Sequence, residues 1–197
     1  MRWHRQNGIP DNPDFEPEAE GGWAALPEPP PEKLQIHALV PLALTLPLFA
    51  LAWLWLLRAG ARDFGPIGAV AGLLVVLPLV VVHEGIHLLL HPGQGRSPQS
   101  VLGASSKHGI IYAMYFGEMS RKRYVAVLLG PFVVLSVLPL LACAIAGRFH
   151  PLPALTSLWN TLFACGDLLG AWLILRGSPP GARLRNRGYH TWWRMPR

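Results

Sequence analysis

The chain has 197 residues, 51% of them hydrophobic and 14% charged, with a formal net charge of +6. That balance suits one domain but is too apolar for an ordinary soluble one, so the class is membrane protein. The two cysteines, Cys143 and Cys165, both lie in apolar runs and read as small helix-packing residues, which excludes a disulfide framework.

Residues 1–35 hold seven acids, many prolines and no apolar core. They read as neither a signal peptide nor a transit peptide but as a disordered cytoplasmic arm. Pro27-Glu28-Pro29-Pro30-Pro31 within it reads as a spacer, with docking to a polyproline-binding partner as the alternative. Four runs then reach spanning length: 38–57, 67–90, 124–146 and 152–175. Pro41, Pro47, Pro78, Pro131, Pro139 and Pro153 fall inside or at the edges of these runs, which bundled membrane helices accept. The predicted fold is therefore all-α, with four transmembrane helices over residues 36–176 and a basic cytoplasmic tail over 177–197.

The second run ends on His83-Glu84-Gly85-Ile86-His87. On a helix, residues four apart differ by about 40° around the axis and about 6 Å along it, so both imidazoles can reach one metal ion. Glu84 flanks that face, where a carboxylate can take a proton from water. A satisfied polar cluster at a helix end is the alternative, but ionisable groups in a membrane helix are costly and point first to function. A catalytic metal site needs a third protein ligand. His91 continues the spacing, yet it lies about 12 Å along the axis from His83, too far to share an ion on an unbroken helix; it reads as an interface or supporting residue.

Between the second and third runs, 101–104 and 110–116 are short β-prone segments separated by Ser105-Ser106-Lys107-His108-Gly109, which predicts a β-hairpin with His108 facing solvent. Its edge could pair with an extended peptide, or the hairpin could simply cap the bundle. The third run contains Gly130-Pro131. The fourth contains Asp167, the only acid in the other three runs, and Asn160 two helical turns before it on nearly the same face. Asp167 is the preferred third ligand; helix-to-helix hydrogen bonding is the alternative for both residues.

Lys and Arg set the orientation. Arm, hairpin loop and tail together carry fourteen, against Arg58, Arg62 and Arg148 on the opposite side, so both termini are expected in the cytoplasm. The tail's Arg176, Arg183, Arg185, Arg187, Arg194 and Arg197, interleaved with Tyr189, Trp192 and Trp193, read as a contact with anionic membrane lipids; no nucleic-acid partner is expected. In this topology His83, Asp167 and Gly130-Pro131 all lie about 10–12 Å from the cytoplasmic ends of their helices, so three helices bring unusual residues to one layer.

Over about residues 65–176 the chain resembles a group of small bacterial membrane proteins classed as zincin peptidases, relatives of the site-2 proteases. The resemblance rests on His83-Glu84-Gly85-Ile86-His87, on Met119-Ser120-Arg121-Lys122-Arg123-Tyr124 leading into Leu129-Gly130-Pro131, and on Asn160 with Gly166-Asp167. It implies a zinc ion (Zn2+) held by His83, His87 and Asp167, with Glu84 as general base. It also implies that Asn160, Gly130 and Pro131 serve substrate binding. The function this implies is a zinc-dependent intramembrane endopeptidase in the cell membrane, acting on membrane-anchored protein or peptide substrates. A non-proteolytic multi-pass regulator or assembly factor that retains a metal or polar site is the alternative.

Overall fold

A computed structural model describes residues 1–4, 10–59, 67–105 and 110–196, without the side chains of 67–73, 77 and 110. In chain order the elements are β1 (Arg2–His4), α1 (Pro17–Glu20), β2 (Ala24–Ala25), α2 (Pro31–Ala59), α3 (Ile67–Leu90), β3 (Ser100–Ser105), β4 (Ile110–Tyr115) and β5 (Met119–Ser120). There follow α4 (Arg121–Phe132), one π-helical turn (Val133–Val137), α5 (Leu138–Ala146), α6 (Pro151–Phe163), α7 (Cys165–Gly177), β6 (Arg183–Arg187) and β7 (His190–Arg194).

Helix α2 opens on Pro31, whose fixed φ and missing N–H suit a first turn. Ser120 caps α4, its hydroxyl accepting from the Arg123 N–H. The α4–α5 stretch Arg121–Ala146 and α2 are each long and apolar enough to cross a membrane. Helix α3 is apolar over Leu74–Leu90.

The fourth run departs from the expected single helix. Helices α6 and α7 meet at a 54° bend. Ala164, at φ −75° and ψ 0°, leaves the helical ψ, and its carbonyl accepts from Leu168 N–H at 2.9 Å to start the next helix. Taken as one span the bent pair makes three candidate membrane spans among the described residues, against the four expected. The bend puts Asp167 in the first turn of α7, where the exposed N–H groups favour a carboxylate.

The expected hairpin is present as β3 and β4, antiparallel from Ser100 opposite Tyr115 to Ser105 opposite Ile110. Its turn residues Ser106, Lys107, His108 and Gly109 lie outside the described residues. The arm, expected to be disordered, and the basic tail both contribute strands. Strand β1 pairs parallel to β3, while β2 joins a four-stranded sheet ordered β2-β7-β6-β5. Phe15 is fully buried, stacked edge-on against Trp23 and covered by the Arg185 guanidinium. Arg185 pairs with Glu20, Arg187 with Asp11 and Glu18, and Arg194 with Glu118. Three of the arm's acids, Asp11, Glu18 and Glu20, are thus matched by arginines about 170 residues away, and Phe15, Trp23 and Leu26 are its apolar anchors.

Leu26, Tyr115, Met119, Tyr124, Val127, Ile174 and Leu184 form one core that fastens both sheets to α4 and α7. If the arm is integral, Phe15→Ala should cost about 3 kcal/mol. Limited proteolysis should then show new cleavage between residues 10 and 30 at temperatures where wild type is resistant; an unchanged pattern would return the arm to a free tether.

Candidate metal centre

Spacing of four on α3 stacks His83 and His87 on one face, their rings edge-on with centroids 4.9 Å apart. Both are buried, at 4% and 5% exposure. Arg123 holds the end of this helix by donating to the carbonyls of Leu90 and His91, each at 3.0 Å.

Each imidazole has two nitrogens, and the surroundings assign them different work. His87 Nδ1 lies 2.8 Å from the Val127 carbonyl, which can only accept, so Nδ1 carries the proton. His83 Nδ1 lies 2.8 Å from Asn160 Oδ1. The Asn160 amide nitrogen donates to Pro131 O at 3.0 Å and to Ser136 Oγ at 2.9 Å, which leaves its oxygen facing His83 as an acceptor. In the neutral rings both Nε2 atoms therefore carry lone pairs. They sit 3.2 Å apart, and Asp167 Oδ2 lies 3.1 Å from the first and 3.3 Å from the second.

With both rings neutral, three acceptor atoms converge on one point, an arrangement that a cation would satisfy. A tetrahedral zinc with bonds near 2.0–2.1 Å would hold its ligand atoms about 3.3 Å apart, which the observed separations match. Ring N–H groups tied to a carbonyl and a side-chain amide are the usual support for metal-binding histidines. His83, His87 and Asp167 are the group of described residues able to hold an ion.

A cavity of about 300 Å³ opens beside this cluster. Glu84 lines it, with the backbone N–H of Ala113 on β4 directed at its carboxylate. Among the described residues β4 pairs with β3 on one side, and its other edge is the one turned to Glu84. His91 also lines the cavity, is 1% exposed, and has an Nδ1 with no hydrogen-bond partner among the described residues. Burial pushes its imidazole down to about 4, which keeps it neutral near pH 7.

Asn160, Gly130 and Pro131 sit behind the histidines and are not among the residues lining the cavity. Sequence reasoning did not single out Tyr112, Tyr115, Phe163 or Asn186, which do line it, and named Tyr124, which lines it too, only as part of a motif. Asn186, whose Oδ1 accepts from the Tyr124 hydroxyl at 2.7 Å, arrives from the C-terminal hairpin and carried no signal at its own position.

A family model described as "Putative zincin peptidase" matches residues 76–182, a span that contains the two histidines, the hairpin and Asp167. The chain belongs to this family. No curated protein and no solved structure matches it. Membership of a zincin family fits a metal-dependent peptidase, and the donor set just described is where such an ion would bind.

Zinc content of the purified protein tests the assignment. His83→Ala or His87→Ala should abolish stable occupancy, since two ligands do not hold a catalytic ion tightly, and Asp167→Ala should weaken it. His91→Ala should leave the stoichiometry unchanged; a loss there with full occupancy in Asp167→Ala would exchange the two roles.

Proposed function

We propose that this zincin-family protein is a zinc-dependent intramembrane endopeptidase that hydrolyses peptide bonds of membrane-anchored substrates. The observation that carries the reading is the placement of Glu84 between three converging acceptor atoms and β4, the edge strand of its sheet among the described residues, on a helix that is apolar over Leu74–Leu90. In this reading four crossings run through residues 36–176 and both termini face the cytoplasm, in accord with the fourteen-to-three distribution of Lys and Arg. The site then lies about 10–12 Å from the cytoplasmic ends of its helices, and the hairpin sheet stands over its mouth.

When bound, zinc supplies Lewis acidity, polarising a peptide carbonyl and acidifying water. Glu84 takes the proton of the attacking water and returns it to the leaving amine. Ala113 N–H holds the Glu84 carboxylate toward β4. An extended substrate segment laid along the open edge of β4 would gain main-chain hydrogen bonds and present its scissile carbonyl to Glu84 and the cluster. Cleavage by such a site requires the substrate to unwind locally, because a helical peptide has no free backbone groups to offer the strand.

Glu84→Gln keeps the size and hydrogen-bonding reach of the side chain but cannot accept a proton. At equal zinc content, cleavage of a panel of membrane-anchored substrates in bilayers should fall by at least about a hundredfold. Equal rates in the two proteins would remove Glu84 as the base, and silence from both across a broad panel would favour the non-proteolytic regulator.

A further inference from the structure

We propose that Pro131, with Gly130 before it, is a positioning residue that sets both histidines in the metal-binding tautomer; this rests on the metal centre described above and assigns the Gly-Pro pair and Asn160 to its support.

In an α-helix the N–H of each residue bonds to the carbonyl four residues earlier. Pro131 lies inside α4 and has no N–H, so the ladder bond that would end on Val127 O has no donor. Val127 is 4% exposed, and a buried carbonyl without a partner is costly. His87 Nδ1 fills that position at 2.8 Å. The defect in α4 is thus repaired by a side chain of α3, and the repair consumes the ring proton that would otherwise be free to settle on Nε2.

The contact needs the two helices close together. At Gly130 an added Cβ would collide with the Leu90 side chain and stand 3.3 Å from Ile86 Cγ2, both on α3. A larger residue there would have to displace the Leu90 side chain and press on Ile86, so glycine favours the close approach of α4 to α3.

The same residue governs His83 by its carbonyl. Pro131 O accepts from Asn160 Nδ2, and Asn160 is fully buried. Because a carbonyl cannot donate, the amide is held with its nitrogen toward Pro131 and its oxygen toward His83 Nδ1. Ser136 Oγ takes the second amide hydrogen at 2.9 Å and itself donates to Ser157 O, while Ser157 Oγ receives Trp53 Nε1 at 3.0 Å. The orientation of Asn160 is therefore braced from the π-helical turn, α6 and α2. One proline frees an acceptor for one histidine and supplies a fixed acceptor for the partner of the other.

The test measures zinc affinity of full-length protein by competition with a chromophoric chelator, together with the visible absorption of the cobalt(II)-loaded form. Pro131→Ala restores an N–H that claims Val127 O, so affinity should fall by about 10–100-fold and the cobalt spectrum should change. The thermal midpoint of the zinc-free protein should hold or rise, because alanine suits a helix interior better than proline. Asn160→Leu should lose affinity similarly, whereas Thr161→Val, which alters the same hydroxyl network without touching a histidine partner, should not. Unchanged affinity in folded Pro131→Ala overturns the inference. Should that variant fail to fold, equal affinities in Asn160→Leu and Thr161→Val would overturn it instead. Wild type that takes up no zinc would remove the metal centre itself.

Discussion

The four ring nitrogens of His83 and His87 impose the constraint on which the rest of the structure depends. Both rings are buried, and a buried polar group left unpaired costs several kcal/mol, of order 2–7. Each Nδ1 must find an acceptor and each Nε2 something positive. Helix α4 supplies Val127 O and α6 supplies Asn160 Oδ1 as the acceptors, while α7 brings Asp167 Oδ2 beside both Nε2 atoms to share the cation they require. Three helices are thereby drawn to one point on α3, and the 54° bend between α6 and α7 lets residues seven apart address the same histidine from either side of a break.

The extramembrane part is organised by a second requirement, that a strand edge stand over the cavity without drifting. The core of Leu26, Tyr115, Met119, Tyr124, Val127, Ile174 and Leu184 fastens β4, the C-terminal hairpin and the arm to the same α4 turn that supports His87. Asn12 reinforces this by donating to Phe116 O and Asn186 O, each at 3.0 Å. The roof and the floor of the cavity therefore share one packed unit.

What the chain reveals before folding follows from range. His83-Glu84-Gly85-Ile86-His87 is legible because its geometry is local, one helical turn, and Asp167 because an acid inside an apolar run stands out. The hairpin β3–β4 is legible from alternation and its turn. The integration of the arm is not, since Phe15, Asp11 and Glu20 meet their partners in the C-terminal hairpin and composition alone reads them as solvated. The bend at Ala164 has no proline to announce it. Pro131 and Asn160 are visible as unusual residues, but their roles depend on which atoms face which helix, and only the assembled bundle supplies that.

The central claim is that His83, His87 and Asp167 hold one zinc ion, and zinc-edge X-ray absorption of the purified protein addresses it most directly. The account predicts a four-coordinate ion with two imidazoles and oxygen ligands at about 2.0–2.2 Å, and loss of the imidazole scattering in His87→Ala. Sulfur scattering near about 2.3 Å from Cys143 or Cys165, or a spectrum unaltered by His87→Ala, would contradict it.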